Sequence, residues 1–145
     1  MSAVTPAQVV EAARGWLETP FHHQARLKGV GVDCIGLVIG VARELGLVAP
    51  DFDITAYSRM PDGNSLMAYA NWHLTQVEFE ELAPGHILVL AIDQEPQHFG
   101  VVGDYRHGGL SLVHAHSPSQ RVIETRLMFT GNLRYVQAFA FPGVA

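Results

Sequence analysis

The hydrophobic pattern of this chain changes at Pro84-Gly85, and this change limits the folds that the chain can adopt. Before it, apolar residues recur at the three- and four-residue spacing of helices. After it, short runs of β-branched and aromatic residues alternate with turn residues. Helices followed by strands predict an α+β fold with an antiparallel sheet.

The first half is predicted to contain helices over 6–18, 34–45 and 65–74, with loops over 21–32 and 51–63. Thr5 and Pro6 are typical of an N-cap and a first helical position. The second helix carries Gly36 and Gly40 on one face. Because glycine costs a helix about 1 kcal/mol relative to alanine, we expect close contacts on that face.

The second half is predicted to contain five strands. They are Ile87–Ile92, His98–Val102, Leu110–Ala115, Val122–Thr125 and Tyr135–Phe141. Gly108-Gly109 and the Ser-Pro-Ser segment 117–119 are predicted as hairpin turns between strands.

Length and composition predict a single domain over 1–145, because 48% apolar and 16% charged residues suffice for one core. A net charge of −5 with nine Lys and Arg gives no support for nucleic-acid binding. Arg26 and Lys28 form one close basic pair and fit ordinary solvated loop residues equally well. No secretory signal pattern and no run of transmembrane length is present, so membrane insertion is not expected.

Cys34 is the only cysteine, and it follows a turn at the predicted start of the second helix, in the segment GVDCIGL over 31–37. The first N–H groups of a helix carry the positive end of its dipole and favour thiolate over thiol. Thiolate is the nucleophilic form. The alternative is a buried cysteine that serves as a small apolar residue.

Three of the eight histidines, His98, His114 and His116, lie on predicted strands. One cysteine with distant histidines predicts a cysteine nucleophile and an imidazole base. His114 and His116 share a face of their strand, so spacing does not choose between them. His114 lies within an apolar run, which favours it as the inward member. His22 and His23 fit cleft-lining and incidental roles equally.

A zinc site is the rival chemistry, because Cys34, His98, His114 and His116 are all possible ligands. No short-spaced metal motif supports it, and no phosphate-binding glycine motif is present. We therefore predict no metal and no cofactor.

Four segments together resemble the NlpC/P60 family of papain-like cysteine peptidases, and more narrowly its small members from phage tail modules and gene transfer agents. They are TPFHHQ over 19–24, GVDCIGL over 31–37, HFGVV over 98–102 and VHA over 113–115. The resemblance covers nearly the whole chain. The family commonly has a Tyr-x-Trp-Gly-Gly stretch near 21–25 and a serine after the cysteine, where this chain has Ile35.

The resemblance implies a papain-like fold with N-terminal helices packed on an antiparallel sheet of about five strands. It implies an endopeptidase that cleaves peptidoglycan stem peptides between γ-D-glutamate and a diamino acid. Cys34 would be the nucleophile, His98 the general base and His114 the third member that orients His98.

Two further residues are candidates for substrate contacts. The Cys34 backbone N–H and the Gln24 amide are possible oxyanion donors, although Gln24 also fits a loop residue that bonds its own backbone. Asp33 fits two roles, an N-cap and a carboxylate that holds the free amine of a peptide substrate. The resemblance favours the second.

The resemblance also implies a protein made in the bacterial cytoplasm and carried in a virion or phage-like tail, where it opens the cell wall locally during genome entry. Its partners would be stem peptides and tail or tail-tip proteins. Two alternatives remain, a non-catalytic structural tail component and an amidase, acyltransferase or effector on the same scaffold.

Overall fold

The structure is a computed structural model that describes residues 3–55, 65–92 and 95–144. The predicted loop over 51–63 is described only as far as residue 55, where the chain has no regular structure. The rest of that prediction lies outside the described residues.

The described chain contains the three predicted helices, α1 (Pro6–Arg14), α2 (Cys34–Glu44) and α3 (Ser65–His73). The Thr5 side chain accepts a hydrogen bond from the Gln8 N–H, and the Gln8 side chain accepts one from the Thr5 N–H, which makes a capping box at α1. No helix in the described part of the chain is long and apolar enough to span a membrane.

The predicted end of the first helix, at residue 18, was wrong. The N–H groups of Trp16 and Leu17 bond three residues back, to Ala13 and Arg14, instead of four. Glu18 then adopts a positive φ of 71°. This tightening ends regular α-helix at Arg14.

Eight strands are present in the described chain, and all of the sheet pairings are antiparallel. They are β1 (Arg26–Leu27), β2 (Gly31–Val32), β3 (Thr75–Val77), β4 (Ile87–Ile92), β5 (Glu95–Asp104), β6 (Leu110–His116), β7 (Arg121–Arg126) and β8 (Leu133–Ala140). Six form one sheet in the order β3-β8-β4-β5-β6-β7, and β1 and β2 form a small hairpin. All five predicted strands are confirmed in place, while the very short β1, β2 and β3 were not predicted.

Both faces of the sheet are covered by apolar groups. Ile87 and Val89 belong to the main core between the sheet and the helices, and Leu88 and Leu90 belong to a second cluster on the other face. A strand buried on both faces is apolar at nearly every position, which explains the unbroken run in β4. α2 is buried along most of its length, from Ile35 to Ala42.

The glycines of α2 allow the close contacts that were predicted for them. A Cβ added at Gly40 would lie 2.2 Å from Cζ2 of Trp16, and one added at Gly36 would lie 2.7 Å from the Ala25 carbonyl oxygen. Both distances are shorter than real side-chain contacts. The indole of Trp16 and the loop before β1 can therefore approach α2 only because these positions lack a side chain.

Candidate active site

Cys34 is the first residue of α2, and the preceding strand positions it. The Val32 N–H donates to the Pro20 carbonyl at 3.0 Å, and the Val32 carbonyl accepts from the His22 N–H at 3.0 Å. Asp33 is the N-cap, and its side chain accepts from the Gly36 N–H at 2.8 Å. The turn before the cysteine is thus held on both sides.

The Cys34 thiol is a neutral group at rest. Its pKa is raised to about 11, chiefly by burial and also by the Asp33 charge, against the lowering effect of backbone hydrogen bonds from Phe99, Ile35 and Cys34 itself. The expectation that the helix N-terminus makes thiolate the favoured form was wrong, because loss of hydration outweighs these N–H groups. The contact with Phe99 also brings the sulfur to β5, one residue from His98.

His98 and His114 form the most direct side-chain contact between β5 and β6. Nε2 of His98 lies 2.7 Å from Nδ1 of His114, and the two rings meet edge to face. Backbone pairing between the strands ends at Val101 and Val113, so the two rings connect the strands just beyond the last paired residues. His114 is only 5% exposed, in agreement with its predicted inward position.

His116 has a different set of contacts. Its Nδ1 accepts from the Ser119 N–H at 3.2 Å and lies 2.7 Å from the Ser119 hydroxyl. It therefore closes the turn between β6 and β7, while its ring packs edge to face against His114. The structure brings His114, not His116, into hydrogen-bond distance of His98.

Both inner histidines are neutral near neutral pH. Burial, assisted by the charge that His116 would carry, lowers the pKa of His98 to about 4. Burial, then charges on His98 and His116, lower the pKa of His114 to about 3. A neutral imidazole can accept a proton, so these shifts keep His98 in the form that a general base requires.

One tautomer of the His98–His114 pair leaves Nδ1 of His98 available as that base. Nε2 of His114 lies 3.4 Å from the Thr125 hydroxyl, which completes a His98–His114–Thr125 chain. When His98 Nε2–H donates to His114, Nδ1 of His98 keeps its lone pair. Among the described residues, Nδ1 of His98 has no hydrogen-bond partner, and no hydrogen bond joins His98 to the Cys34 thiol. Transfer of the thiol proton to Nδ1 therefore requires His98 and Cys34 to move closer together.

Asp33 is buried and accepts three hydrogen bonds. Its Oδ1 accepts from the Gly36 N–H at 2.8 Å and from Nη1 of Arg26 at 2.9 Å, and its Oδ2 accepts from the Gln24 N–H at 2.7 Å. These contacts agree with the N-cap role. The Arg26 side chain is 11% exposed, so its interpretation as a solvated loop residue was wrong.

Gln24 lies beside this cluster with a positive φ of 59°. Its side-chain Nε2 donates to the Thr55 carbonyl at 2.7 Å. That bond uses one of the two amide hydrogens. Nδ1 of His23 lies 3.9 Å from Oδ2 of Asp33, so His23 also belongs to the loop that surrounds the N-cap.

The zinc alternative has no geometric support in the ranges that the structure describes. No three His, Cys, Asp or Glu side chains converge there as metal ligands would. Nitrogens of His98 and His114 point at each other, at hydrogen-bond distance, instead of at a common point.

The fold and this arrangement define an α+β domain with a cysteine at a helix N-terminus and a histidine pair on the adjacent sheet. The chain matches no protein-family model and no curated protein. It is similar to solved structures, among them the NlpC/P60 domain of the peptidoglycan hydrolase SagA, with 18% identity and a TM-score of 0.63 over 95% of this chain and all of that domain.

Two further structures are similar. An NlpC/P60 family protein from Bacillus cereus ATCC 10987 has 17% identity and a TM-score of 0.67 over 97% of this chain, which spans 41% of that protein. An N-acetylmuramoyl-L-alanine amidase from Bacteroides uniformis ATCC 8492 has 11% identity and a TM-score of 0.61 over 94% of this chain and 98% of that one. The predicted NlpC/P60 fold is confirmed, with one more strand in the main sheet than the five predicted.

Proposed function

We propose that this protein is a peptidoglycan hydrolase of the NlpC/P60 type, a cysteine endopeptidase that cleaves stem peptides between γ-D-glutamate and a diamino acid. The observation that best supports this proposal is the His98–His114 hydrogen bond at 2.7 Å. His98 is adjacent to Phe99, whose backbone contacts Cys34. The substrate class is supported by the similarity to SagA, a peptidoglycan hydrolase, and to the Bacteroides uniformis N-acetylmuramoyl-L-alanine amidase.

In the proposed reaction, Nδ1 of His98 removes the Cys34 proton, and the thiolate attacks the amide carbonyl. The imidazolium then protonates the leaving amine, which leaves a thioester. Water, deprotonated by His98, hydrolyses the thioester and regenerates the thiol. Because burial keeps the resting thiol neutral, the proton moves when substrate is bound.

Three further groups support this chemistry in the proposal. His114 holds the productive tautomer of His98 through the Nε2–Nδ1 bond, as the third member of a triad does. The backbone N–H of Cys34 donates to the oxyanion, and the side-chain amide of Gln24 is the other proposed donor.

We also infer that the enzyme acts from a phage or phage-like tail, made in the bacterial cytoplasm and assembled with tail or tail-tip proteins. Support comes from the motifs around Gln24, Cys34 and His98, which resemble the phage-tail branch of the family. Such an enzyme would open the wall locally for genome entry.

The test uses purified protein and the Cys34→Ala variant, incubated with defined muropeptides and analysed by mass spectrometry. We expect wild type alone to release products cut after γ-D-glutamate. If folded wild type cleaves no muropeptide, either alone or assembled with tail proteins, the enzymatic function is overturned and the role of a structural tail component is favoured.

An amidase is the second candidate, because the Bacteroides uniformis amidase is similar over 98% of its own chain. The same experiment separates the two activities. An amidase would release the intact stem peptide from the glycan, whereas the proposed endopeptidase leaves L-Ala-γ-D-Glu attached to it.

A further inference from the structure

A partly buried ionic cluster includes Asp33, the N-cap residue next to the candidate nucleophile. Its centre is the Arg26 guanidinium, which donates from Nη1 to Asp33 Oδ1 and from Nε to Asp53 Oδ1, both at 2.9 Å. The same side chain donates to the carbonyls of Ala25 and Ile54. Arg26 therefore ties the N-cap of α2 to the segment that contains Asp53 and Ile54.

The charges of this cluster are compensated within it. Nη2 of Arg43 lies 3.9 Å from Oδ2 of Asp53, so two guanidinium groups face two carboxylates. The Asp33 side chain is only 4% exposed, and Gly36 leaves room for the guanidinium, because a Cβ there would lie 2.9 Å from Nη1.

A carboxylate that binds a substrate ammonium needs unused lone pairs and access to solvent. Asp33 offers little of either, since three of its roughly four acceptor sites are taken by two backbone N–H groups and Arg26, and its side chain is only 4% exposed. A second cation beside Arg26 would also be repelled by it. The role in which Asp33 holds a free peptide amine thus conflicts with the contacts that Arg26 makes.

We propose that Arg26 is a specificity-determining residue that reserves Asp33 for structure, so that the site cleaves stem peptides whose L-Ala amine is acylated. This inference rests on the proposed endopeptidase function and names its substrate class. Stem peptides still attached to the glycan carry that amine as an amide. The enzyme would therefore need no amidase to act first, and it would leave an acylated L-Ala-γ-D-Glu dipeptide on the glycan.

The experiment compares two probes, L-Ala-γ-D-Glu-L-Lys and its form N-acetylated on the alanine amine. We expect wild type to cleave the acetylated peptide with a kcat/KM at least equal to that for the free amine. Arg26→Gln uncovers the Asp33 charge and should shift the ratio at least tenfold toward the free amine. Arg26→Lys, which keeps a cation there, should shift it less.

Arg43→Gln is the matched control, because Arg43 donates to the Phe52 carbonyl and faces Asp53 without touching Asp33. It loosens the same segment, and we expect it to change the substrate ratio less than twofold. An equal shift in Arg26→Gln and Arg43→Gln would show that only loop order matters and would overturn the proposal.

Binding to Cys34→Ala, measured by calorimetry with the same peptides, keeps the test independent of turnover and of the folding of the Arg26 variants. At least equal affinity for the acetylated peptide supports the proposal. A tenfold preference of wild type for the free amine overturns it while supporting the endopeptidase. Neither cleavage nor binding of either peptide overturns both proposals.

Discussion

His114 and His116 stand two residues apart on one strand, yet their surroundings give them different chemistry. His114 is enclosed and its ring nitrogens face His98 and Thr125. Nδ1 of His116 is hydrogen-bonded to Ser119 at the end of the strand. The alternation of side chains along a strand places both histidines on one face, so spacing does not distinguish their roles, whereas their different burial does.

We expect His114→Ala to lower kcat by about 10²-fold or more with little change in KM, because His98 loses the partner that holds its tautomer. His116→Ala, the matched control, should lower kcat less than tenfold. Steady-state kinetics over pH 4–9 provide the measurement, since a positioning role also moves the acid limb of the profile. Equal losses in the two variants would contradict the assignment.

The resting thiol should react slowly with alkylating reagents near neutral pH. Because burial raises the pKa of Cys34 to about 11, we expect its rate of reaction with iodoacetamide to keep rising above pH 9. The urea-unfolded protein, whose thiol has an ordinary pKa, is the control. A rate that is already constant at pH 6–7 would indicate a thiolate–imidazolium pair and contradict the neutral resting state.

The error about the Cys34 pKa has a physical cause. A helix N-terminus is a local feature, which the DCIG segment predicts, and its N–H groups do lower the pKa of the thiol. Burial depends on β5 packing against α2, which involves residues more than sixty positions away. Local pattern therefore predicted the position of the cysteine but not the sign of its net pKa shift.

At the scale of elements, α2 shows how a helix with interior glycines is stabilised by its neighbours. Gly40 faces the Trp16 indole, which is only 4% exposed, and Gly36 faces the Arg26 guanidinium and the Ala25 carbonyl. On the small-residue face predicted from the sequence, Gly40 thus makes room for a core side chain and Gly36 makes room for the ionic cluster.

We expect Gly40→Ala to lower the free energy of unfolding by about 1–3 kcal/mol through overpacking, even though alanine favours a helix by about 1 kcal/mol over glycine. The new Cβ would lie 2.2 Å from Cζ2 of Trp16. Urea denaturation monitors the change. Trp16→Phe is the partner in a double-mutant cycle, since a smaller ring should relieve the clash. Additive effects would contradict the contact.

The elements that the sequence predicted are those with enough residues to show a period. The five longest strands and α2 each carry six or more patterned residues. β1, β2 and β3 have two or three residues each, too few for a pattern. The Arg26–Asp33 pair was missed for a related reason, because it depends on the β1–β2 hairpin and on the positive φ of Gln24.

At the scale of the whole molecule, the sheet encloses His114 and partly covers His98, and this burial lowers the pKa values of both imidazoles. Apolar clusters cover both sheet faces, and the two imidazoles are held neutral between β5 and β6. The arrangement that prepares a general base therefore also couples the stability of the fold to pH.

We expect the free energy of unfolding to fall as pH is lowered from 7 toward 4. In the unfolded chain both histidines titrate near pH 6.5, whereas in the fold the pKa values of His98 and His114 are about 4 and 3. Between those limits the unfolded state binds more protons, so acidification favours it. The lowered pKa values of His86 and His116 act in the same direction.

Urea denaturation at pH 7, 6, 5 and 4.5 measures this dependence above the range in which most carboxylates titrate. Glu124 and Asp53 have ordinary pKa values of 4.5 and 3.8 that the fold lowers further, so their stabilising contributions are lost mainly below this window. The double variant His98→Gln/His114→Gln should show a shallower slope than wild type, with His86 and His116 accounting for what remains. A slope that is flat or reversed in wild type would mean that the two imidazoles accept protons in the folded state, and the neutral histidine pair would then be untenable.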